Sequence, residues 1–125
     1  MAAPNIVNVS TITAKTAQIK LNSTSATQVV SNPASSGKVF KINNIIVSNI
    51  DGTDAATITV AIENHATVGS GTSTYLAYTI NVPADSTLVL VDKSSAIYVE
   101  ENHNINATAS AADDLDIVCS YEEIS

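Results

Sequence analysis

The stretch KVFKINNIIVSNIDGTDAATITVAIE, from Lys38 to Glu63, decides the fold of this chain. Its first half is a long apolar run, and in its second half Ile58, Val60 and Ile62 alternate with polar or small residues. Such alternation predicts a β-strand with one buried face. The Asp-Gly pair between the halves is a strong turn signal, because glycine accepts positive φ without steric cost. The stretch therefore predicts two antiparallel strands joined as a hairpin.

The first of these strands changes its facing in the middle. Phe40 and Ile42 share one side, whereas Ile45 and Val47 share the other. One extra residue at positions 43–44 would account for the change, because a β-bulge shifts the facing by one residue. The strand is then apolar on both faces, which predicts cover on both. We interpret the second cover as a neighbouring subunit.

The rest of the chain also predicts short strands separated by turn signals. They are Ile6–Thr13, Thr16–Asn22, Thr27–Ser31, Tyr75–Val82, Thr87–Asp92, Ala96–Glu100, Asn104–Ser110 and Leu115–Tyr121. The total of about 8–10 short strands is typical of a sandwich or barrel. The expected fold is all-β, an antiparallel, jelly-roll-like β-sandwich.

A chain of 125 residues predicts one domain. We expect residues 11–125 to form a single β-sandwich domain and residues 1–10, MAAPNIVNVS, to form an N-terminal arm or edge strand. This N-terminus has no basic region followed by an apolar one, so we expect no secretory signal. No apolar run approaches the roughly 20 residues of a membrane-spanning helix, so we expect no membrane partner.

The charge balance argues against anionic partners. Twelve acidic residues oppose five lysines, no arginine is present, and the net charge is −7. Proteins that bind nucleic acid or anionic membranes need lysine and arginine to neutralise phosphate groups. We therefore expect neither a nucleic acid nor a membrane surface as partner.

The candidate chemical groups match no catalytic or metal motif. Cys119 lies on the apolar side of its strand, which indicates a buried thiol. His65 and His103 are too few to complete a zinc site, which needs three or four converging ligands. Gly69-Ser70-Gly71 lacks the lysine and helix of a phosphate loop and predicts a flexible hairpin tip. We expect no catalytic residues, no cofactor and no metal.

The aspartates that could bind calcium fall into two groups in the sequence. One group contains Asp51 and Asp54, and the other contains Asp113, Asp114 and Asp116. Neither has the spacing of a calcium loop, so we interpret both as solvated turn carboxylates. Glu63 with Glu100 or Glu101 could supply the carboxylate pair of a glycosidase. The absence of Trp and the single Phe leave few rings on which a sugar could stack, which argues against carbohydrate binding.

The tyrosines and the N-terminus supply the candidate interface. Leu76, Tyr78, Ile80 and Val82 share one side of their predicted strand, which places Tyr78 in the core. Tyr75 and Tyr98 lie on the other side of their strands, and tyrosine is enriched at subunit interfaces. The predicted interface residues are Pro4, Ile6, Val7, Val9, Tyr75 and Tyr98.

Three segments resemble small virion structural proteins of tailed bacteriophages, especially phages of marine cyanobacteria. They are SSGKVFKINNIIVSNIDGTDAATITV (35–60), VPADSTLVL (82–90) and IYVEENHNINATAS (97–110). The turn at 100–103 departs from the family pattern, which often has Gly-Asp there. The resemblance covers most of the chain.

The resemblance implies a capsid decoration (cement) protein, which binds the outside of a capsid shell as an oligomer, often a trimer, and strengthens it. The implied partners are other copies of this chain and the major capsid protein. The implied location is the virion, after synthesis in the host cytoplasm and without secretion. The alternative is a tail, neck or fibre component that binds a receptor or glycan through the loops DGTD (51–54) and ATVGSGT (66–72).

Overall fold

The computed structural model describes residues 4–125, and their regular structure is β apart from one 3₁₀ turn. The strands are β1 (Ile12–Leu21), β2 (Thr27–Asn32), β3 (Val39–Asn49), β4 (Ala56–Glu63), β5 (Ser73–Val82), β6 (Thr87–Val91), β7 (Ile97–Val99), β8 (His103–Ala109) and β9 (Leu115–Ile124). The 3₁₀ turn, Lys93–Ser95, separates β6 from β7. Within the described residues, no helix has the length and apolar character needed to cross a membrane.

The strands form two antiparallel sheets that pack as a sandwich. The first sheet has the order β1-β9-β3-β6, with β7 also paired to β3. The second sheet has the order β2-β8-β4-β5. Because β6 and β7 pair with successive parts of β3, they share one position, and each sheet has four positions. The predicted all-β, antiparallel sandwich is confirmed.

The core lies between the sheets and is built from β-branched and aliphatic side chains. Its largest fully buried members include Leu21, Ile42, Ile45, Ile58, Ile105, Leu115 and Ile117. Each of these contributes roughly 1.5–3 kcal/mol relative to an exposed position. All seven lie in segments that the sequence predicts as strands.

The predicted hairpin of β3 and β4 is wrong. β3 belongs to the first sheet and β4 to the second, so residues 50–55 cross from one sheet to the other. Gly52 is not among the residues with positive φ, so the Asp-Gly pair does not form the expected hairpin turn. Instead the Asp51 carboxylate accepts a hydrogen bond from the Thr53 amide at 2.8 Å. The turn signal was correct, but it marks a crossing between sheets.

Two buried asparagines hold the crossings between the sheets. Asn49 ends β3, and its amide group donates to the carbonyls of Asp54 and Val82 at 3.0 and 2.9 Å. Asn32 ends β2 and donates in the same way to the carbonyls of Lys38 and Val99 at 2.9 and 3.1 Å. Each side chain thus replaces the strand pairing that the backbone loses where the chain changes sheet.

The predicted bulge in β3 is confirmed. The pairing of β3 with β9 shifts between Ile42 and Asn44. Phe40 and Ile42 before the shift are buried, and so is Ile45 after it. The extra residue therefore lets both halves of the strand reach one core although their spacing is odd.

The predicted facing of β5 is wrong in its middle. Ala77 is buried, whereas Tyr78, predicted in the core, is 66% exposed, and Ile80 is also exposed. The pairing with β4 shifts between Ile58 and Val60, and Thr79 has a φ of +49°, which is uncommon for a residue with a side chain. This irregularity changes the facing and turns Tyr78 to the solvent.

The N-terminal strand also differs from the prediction. The segments 6–13 and 16–22 were predicted as two strands, but β1 is one strand that pairs with β9 from Ile12 to Leu21. Most of its side chains are exposed, so the sequence carries little apolar pattern to mark its continuity. Residues 4–10 contain no strand. Residues 1–3 of the predicted arm lie outside the described residues, and the division into an arm and a domain stays a prediction.

Candidate functional site

The N-terminal segment, residues 4–9, is tied to the first sheet at its C-terminal end. The amides of Ser10 and Thr11 donate to the Ser125 carbonyl at 2.6 and 3.1 Å, and the Ser125 amide donates to the Thr11 carbonyl at 3.0 Å. These bonds place the segment beside the last residues of β9. Val7 within it is 90% exposed.

An open concavity of about 360 Å³ brings part of this segment against the first sheet. Its lining residues are Pro4, Ile6, Val39, Tyr98 and Glu100. The structure therefore unites three predicted interface residues, Pro4, Ile6 and Tyr98. Val7 and the half-buried Val9 do not line the concavity. The interface role of all these residues stays a prediction.

The same concavity refines the interpretation of β3 as a strand covered by a neighbour. Phe40 faces the core, so its neighbour Val39 faces outward, beside its strand partner Ile124. Both outward residues are nevertheless buried within the single chain. Pro4 and Ile6 line the concavity with Val39, so the chain's own N-terminal segment lies beside this end of the strand. Cover by a neighbouring subunit stays a prediction.

Tyr75 and Tyr78 form an exposed aromatic pair on β5. Their ring centroids lie 4.8 Å apart with an interplanar angle of 73°, an edge-to-face arrangement. Tyr75 is 53% exposed. β5 is the edge strand of the second sheet, so the pair has no strand beyond it in this chain. Sequence reasoning found Tyr75 but missed Tyr78, because a bulge in β5 carries no apolar signature.

Glu63, at the end of β4, is a buried carboxylate with several hydrogen-bond donors. It is 1% exposed and accepts from the amides of Gly71 at 2.6 Å and Gly69 at 3.1 Å. The side-chain amides of Asn104 and Asn106 donate to it at 3.4 and 3.3 Å. The bonds from Gly71 and Gly69, with smaller help from Asn104, outweigh burial and lower the pKa of Glu63. The carboxylate is therefore ionised at neutral pH.

This carboxylate organises the loop of residues 64–72. The loop joins β4 to β5, which pair, so the predicted hairpin at this position is confirmed. A side chain at Gly71 would lie 2.5 Å from Asn64 Oδ1 and 2.9 Å from His65 Cβ, so only glycine fits. The loop amides are bonded to Glu63 rather than left free as the expected flexible tip implied. In the sequence, this bonded loop was signalled only by a lone glutamate at the end of an apolar strand, followed by glycines.

The aspartates that looked separate in the sequence meet at one end of the sandwich. The Ile50 amide donates to the Asp114 carbonyl at 2.8 Å, which joins the two loops. Burial, followed by the charges of Asp51, Asp54 and Asp113, raises the pKa of Asp114. Among the residues described, no three His, Cys, Asp or Glu side chains are placed to hold a metal ion.

Cys119 and the histidines do not form a catalytic group. Cys119 is a free, fully buried thiol, as predicted, and burial raises its pKa to about 12. A thiol in this state is neither accessible nor ionised at neutral pH. His65 accepts from the Thr67 amide at 3.0 Å, and the His103 ring bonds to the Glu101 carbonyl at 2.8 Å. Each imidazole ring is thus hydrogen-bonded to the backbone of its own turn.

Comparison with known proteins adds information about the fold. No protein-family model and no curated protein sequence matches this chain. Among solved structures, the chain is similar to one from the acidic stable capsid of Helicobacter pylori bacteriophage KHP30, with 14% identity and a TM-score of 0.53. That match covers 94% of this chain and 90% of the phage chain. At this identity the likeness shows a shared fold.

Two further structures are similar at a lower level. A chain of the Bacillus endospore appendages, which form disulfide-linked pili, is 16% identical with a TM-score of 0.49 and is matched over 92% of this chain and 88% of its own. A chain of infectious bursal disease virus, Gx strain, is 12% identical with a TM-score of 0.49, over 93% of this chain and 33% of the viral one.

Proposed function

We propose that this protein is a structural component of a virion, specifically a capsid decoration protein that binds and stabilises the shell as an oligomer. The observation that carries the proposal is the strand order. With β6 and β7 sharing one position, the orders 1-9-3-6 and 2-8-4-5 support a jelly roll with eight strand positions. Jelly rolls recur in viral capsid proteins. The fold shared with a phage capsid chain supports the same proposal.

The surface supports binding rather than catalysis, and we propose no enzymatic activity. Cys119 is a buried thiol with a raised pKa, and the buried Glu63 holds a loop. In contrast, Ile6, Val7 and Tyr78 expose large apolar areas. Apolar and aromatic surface of this kind is typical of protein contact sites.

The N-terminal arm is the proposed clamp on the shell or on a neighbouring subunit. Backbone hydrogen bonds of Ser10 and Thr11 to Ser125 anchor it, whereas Val7 projects into solvent. A clamp needs both features, because the anchor transmits the load and the exposed residues make the contact.

Quantitative mass spectrometry of purified particles tests the location. A decoration protein should be present at a copy number comparable with that of the major capsid protein. A far lower copy number, as for a neck or fibre component, would contradict the decoration role while leaving a virion role intact.

The alternative is a tail, neck or fibre component that binds a receptor or glycan. Jelly rolls also occur in lectin domains, which bind sugars, and this supports the alternative. However, the loops 51–54 and 66–72 lie at opposite ends of β4, whose eight residues span roughly 26 Å at about 3.3 Å per residue. One chain therefore cannot combine both loops in a single small site. A glycan array that shows specific binding, together with a low copy number, would favour this alternative.

A further inference from the structure

Charge is divided unequally between the two sheets. β2, β4, β5 and β8 of the second sheet contain no lysine, arginine or aspartate, and their one glutamate is the buried Glu63. His103, at one end of β8, is the only other ionisable side chain apart from the tyrosines of β5. Glu63 faces outward with Thr57 and Thr59, but its carboxylate is covered by the loop of residues 64–72. The rest of the outer side of the second sheet carries no formal charge.

The first sheet carries the charges. Glu123 pairs with both Lys15 and Lys38 at 3.1 Å, and Lys20 pairs with Asp116 at 3.2 Å. Burial opposes the ionisation of Glu123, but its hydrogen bonds to both lysines outweigh burial and lower its pKa. Glu123 is the strand partner of the core-facing Phe40 and lies on the inner side, at one end of the sandwich. Lys20 and Asp116 follow the opposite parity to the core residues Leu21 and Leu115, so the outer side of this sheet is charged.

The neutral outer side of the second sheet also carries the exposed aromatic pair. Pairing across β5, β4 and β8 places Asn81 beside Thr57 and Thr59 beside Thr108, facing away from the core. Together with the tyrosines this defines the neutral face: Thr57, Thr59, Tyr75, Tyr78, Asn81 and Thr108. The core of a protein interface is depleted in charge and enriched in tyrosine, which matches this face.

We propose that the neutral face is where a second copy of this chain packs, with Tyr75 and Tyr78 as the central contacts. This inference rests on the proposed oligomer and names its surface.

The charge distribution favours a second copy of this chain as the partner that packs on the neutral face. Each chain carries −7, so two copies repel each other wherever acidic side chains would meet. The neutral face allows close approach without bringing formal charges together, and it is self-complementary because hydroxyl and amide groups both donate and accept. A basic partner would instead be expected on an acidic surface, which this face is not.

The geometry of β5 favours packing of side chains over extension of the sheet. The irregularity at Thr79 breaks the regular row of donors and acceptors along this edge, and the Thr79 amide is already bonded to Thr59 Oγ1 at 3.0 Å. Irregular edges resist the addition of another strand. The contact is therefore made by the outward rings rather than by the backbone edge.

The test is sedimentation or native mass spectrometry of the full chain across a concentration series. The double substitution Tyr75→Ser with Tyr78→Ser should raise the dissociation constant of the oligomer at least about 10-fold, the usual effect of removing central aromatic contacts. Asn81→Glu is the second variant: it keeps both rings and introduces like charges that face each other. Val89→Ser, an exposed apolar position on β6 of the first sheet, is the matched control and should leave the dissociation constant unchanged.

Salt gives an independent readout. Because the rest of both chains is acidic, raising ionic strength should screen the repulsion and tighten self-association. Circular dichroism checks that each variant keeps the β fold, and both tyrosines are exposed, so folding is expected to survive.

A wild-type chain that stays monomeric at every concentration would overturn the inference, and so would an oligomer that none of the neutral-face variants weakens. A monomer that binds capsid shells through Tyr75 and Tyr78 would also overturn it, since the occupant would then be the shell. The copy number on particles is measured separately, so failure here leaves the decoration role open to its own test.

Discussion

At the scale of single residues, the most consequential group is the buried carboxylate of Glu63. A charge so deeply buried is tolerated only when donors surround it. Here the donors are the loop amides of Gly69 and Gly71 and two asparagine side chains. The residue thus converts a glycine-rich loop into a bonded cover over one end of the second sheet.

Replacing Glu63 by Gln should destabilise the protein by about 1–3 kcal/mol, because a neutral amide accepts these bonds less well and adds donors that have no acceptor. Urea unfolding at neutral pH measures the change. Glu100→Gln, at an exposed position, is the control and should have little effect. Equal stability of both variants would contradict the role assigned to Glu63.

The contribution of Glu63 should also depend on pH. Its pKa in the folded state lies below the ordinary value of 4.5, so its stabilisation is fully present above that value and is lost as pH falls through the lower, folded-state pKa. Hydrogen exchange at the Gly69 and Gly71 amides should accelerate selectively in acid, after correction for intrinsic rates. The acid-dependent loss of stability should be smaller in Glu63→Gln, and an identical loss would contradict this explanation.

Cys119 supplies a second prediction at this scale. Because the thiol is buried and its pKa is raised to about 12, a thiol reagent at pH 7 should label the native protein very slowly and the urea-unfolded protein quickly. Absorbance of the released chromophore follows the reaction. Rapid, complete labelling under native conditions would show that β9 opens or that its facing is different.

At the scale of elements, the two chain crossings depend on asparagines rather than on glycine turns. Asn32 and Asn49 occupy equivalent positions, each at the end of a strand whose successor joins the other sheet. A buried carbonyl without a donor is costly, so these side chains make an abrupt change of sheet possible.

Asn49→Ala and Asn32→Ala should each cost about 1–3 kcal/mol, because two carbonyls lose their donor in each case. Thermal or urea unfolding measures the loss. Asn22→Ala removes the same group at an exposed position just after β1 and serves as control. If all three variants unfold alike, the crossings are held by something other than these side chains.

At the scale of the whole molecule, the two sheets present different surfaces, one charged and ion-paired and one neutral with an aromatic pair. The N-terminal segment adds a third contact region beside the first sheet. A protein that binds both a shell and its own copies requires more than one such surface, which agrees with the proposed decoration role.

Deleting residues 1–10 should weaken binding to capsid shells while leaving the sandwich folded, because all nine strands begin after residue 10. Co-sedimentation with particles measures binding, and circular dichroism measures folding. Val7→Ser is a milder variant at the most exposed apolar position of the segment. Full occupancy by the deleted protein would contradict the clamp.

The sequence by itself determined most of the strands, the bulge of β3 and most of the core, because these depend on local alternation of apolar and polar residues. Only the tertiary structure decided that β3 and β4 lie in different sheets, that Tyr78 faces solvent, and that Asp51 meets Asp114. The physical reason is that strand pairing joins residues far apart in the chain, and no local period encodes which strand a given edge will meet. The stretch from Lys38 to Glu63 thus specified its own two strands but not the strands with which they pair.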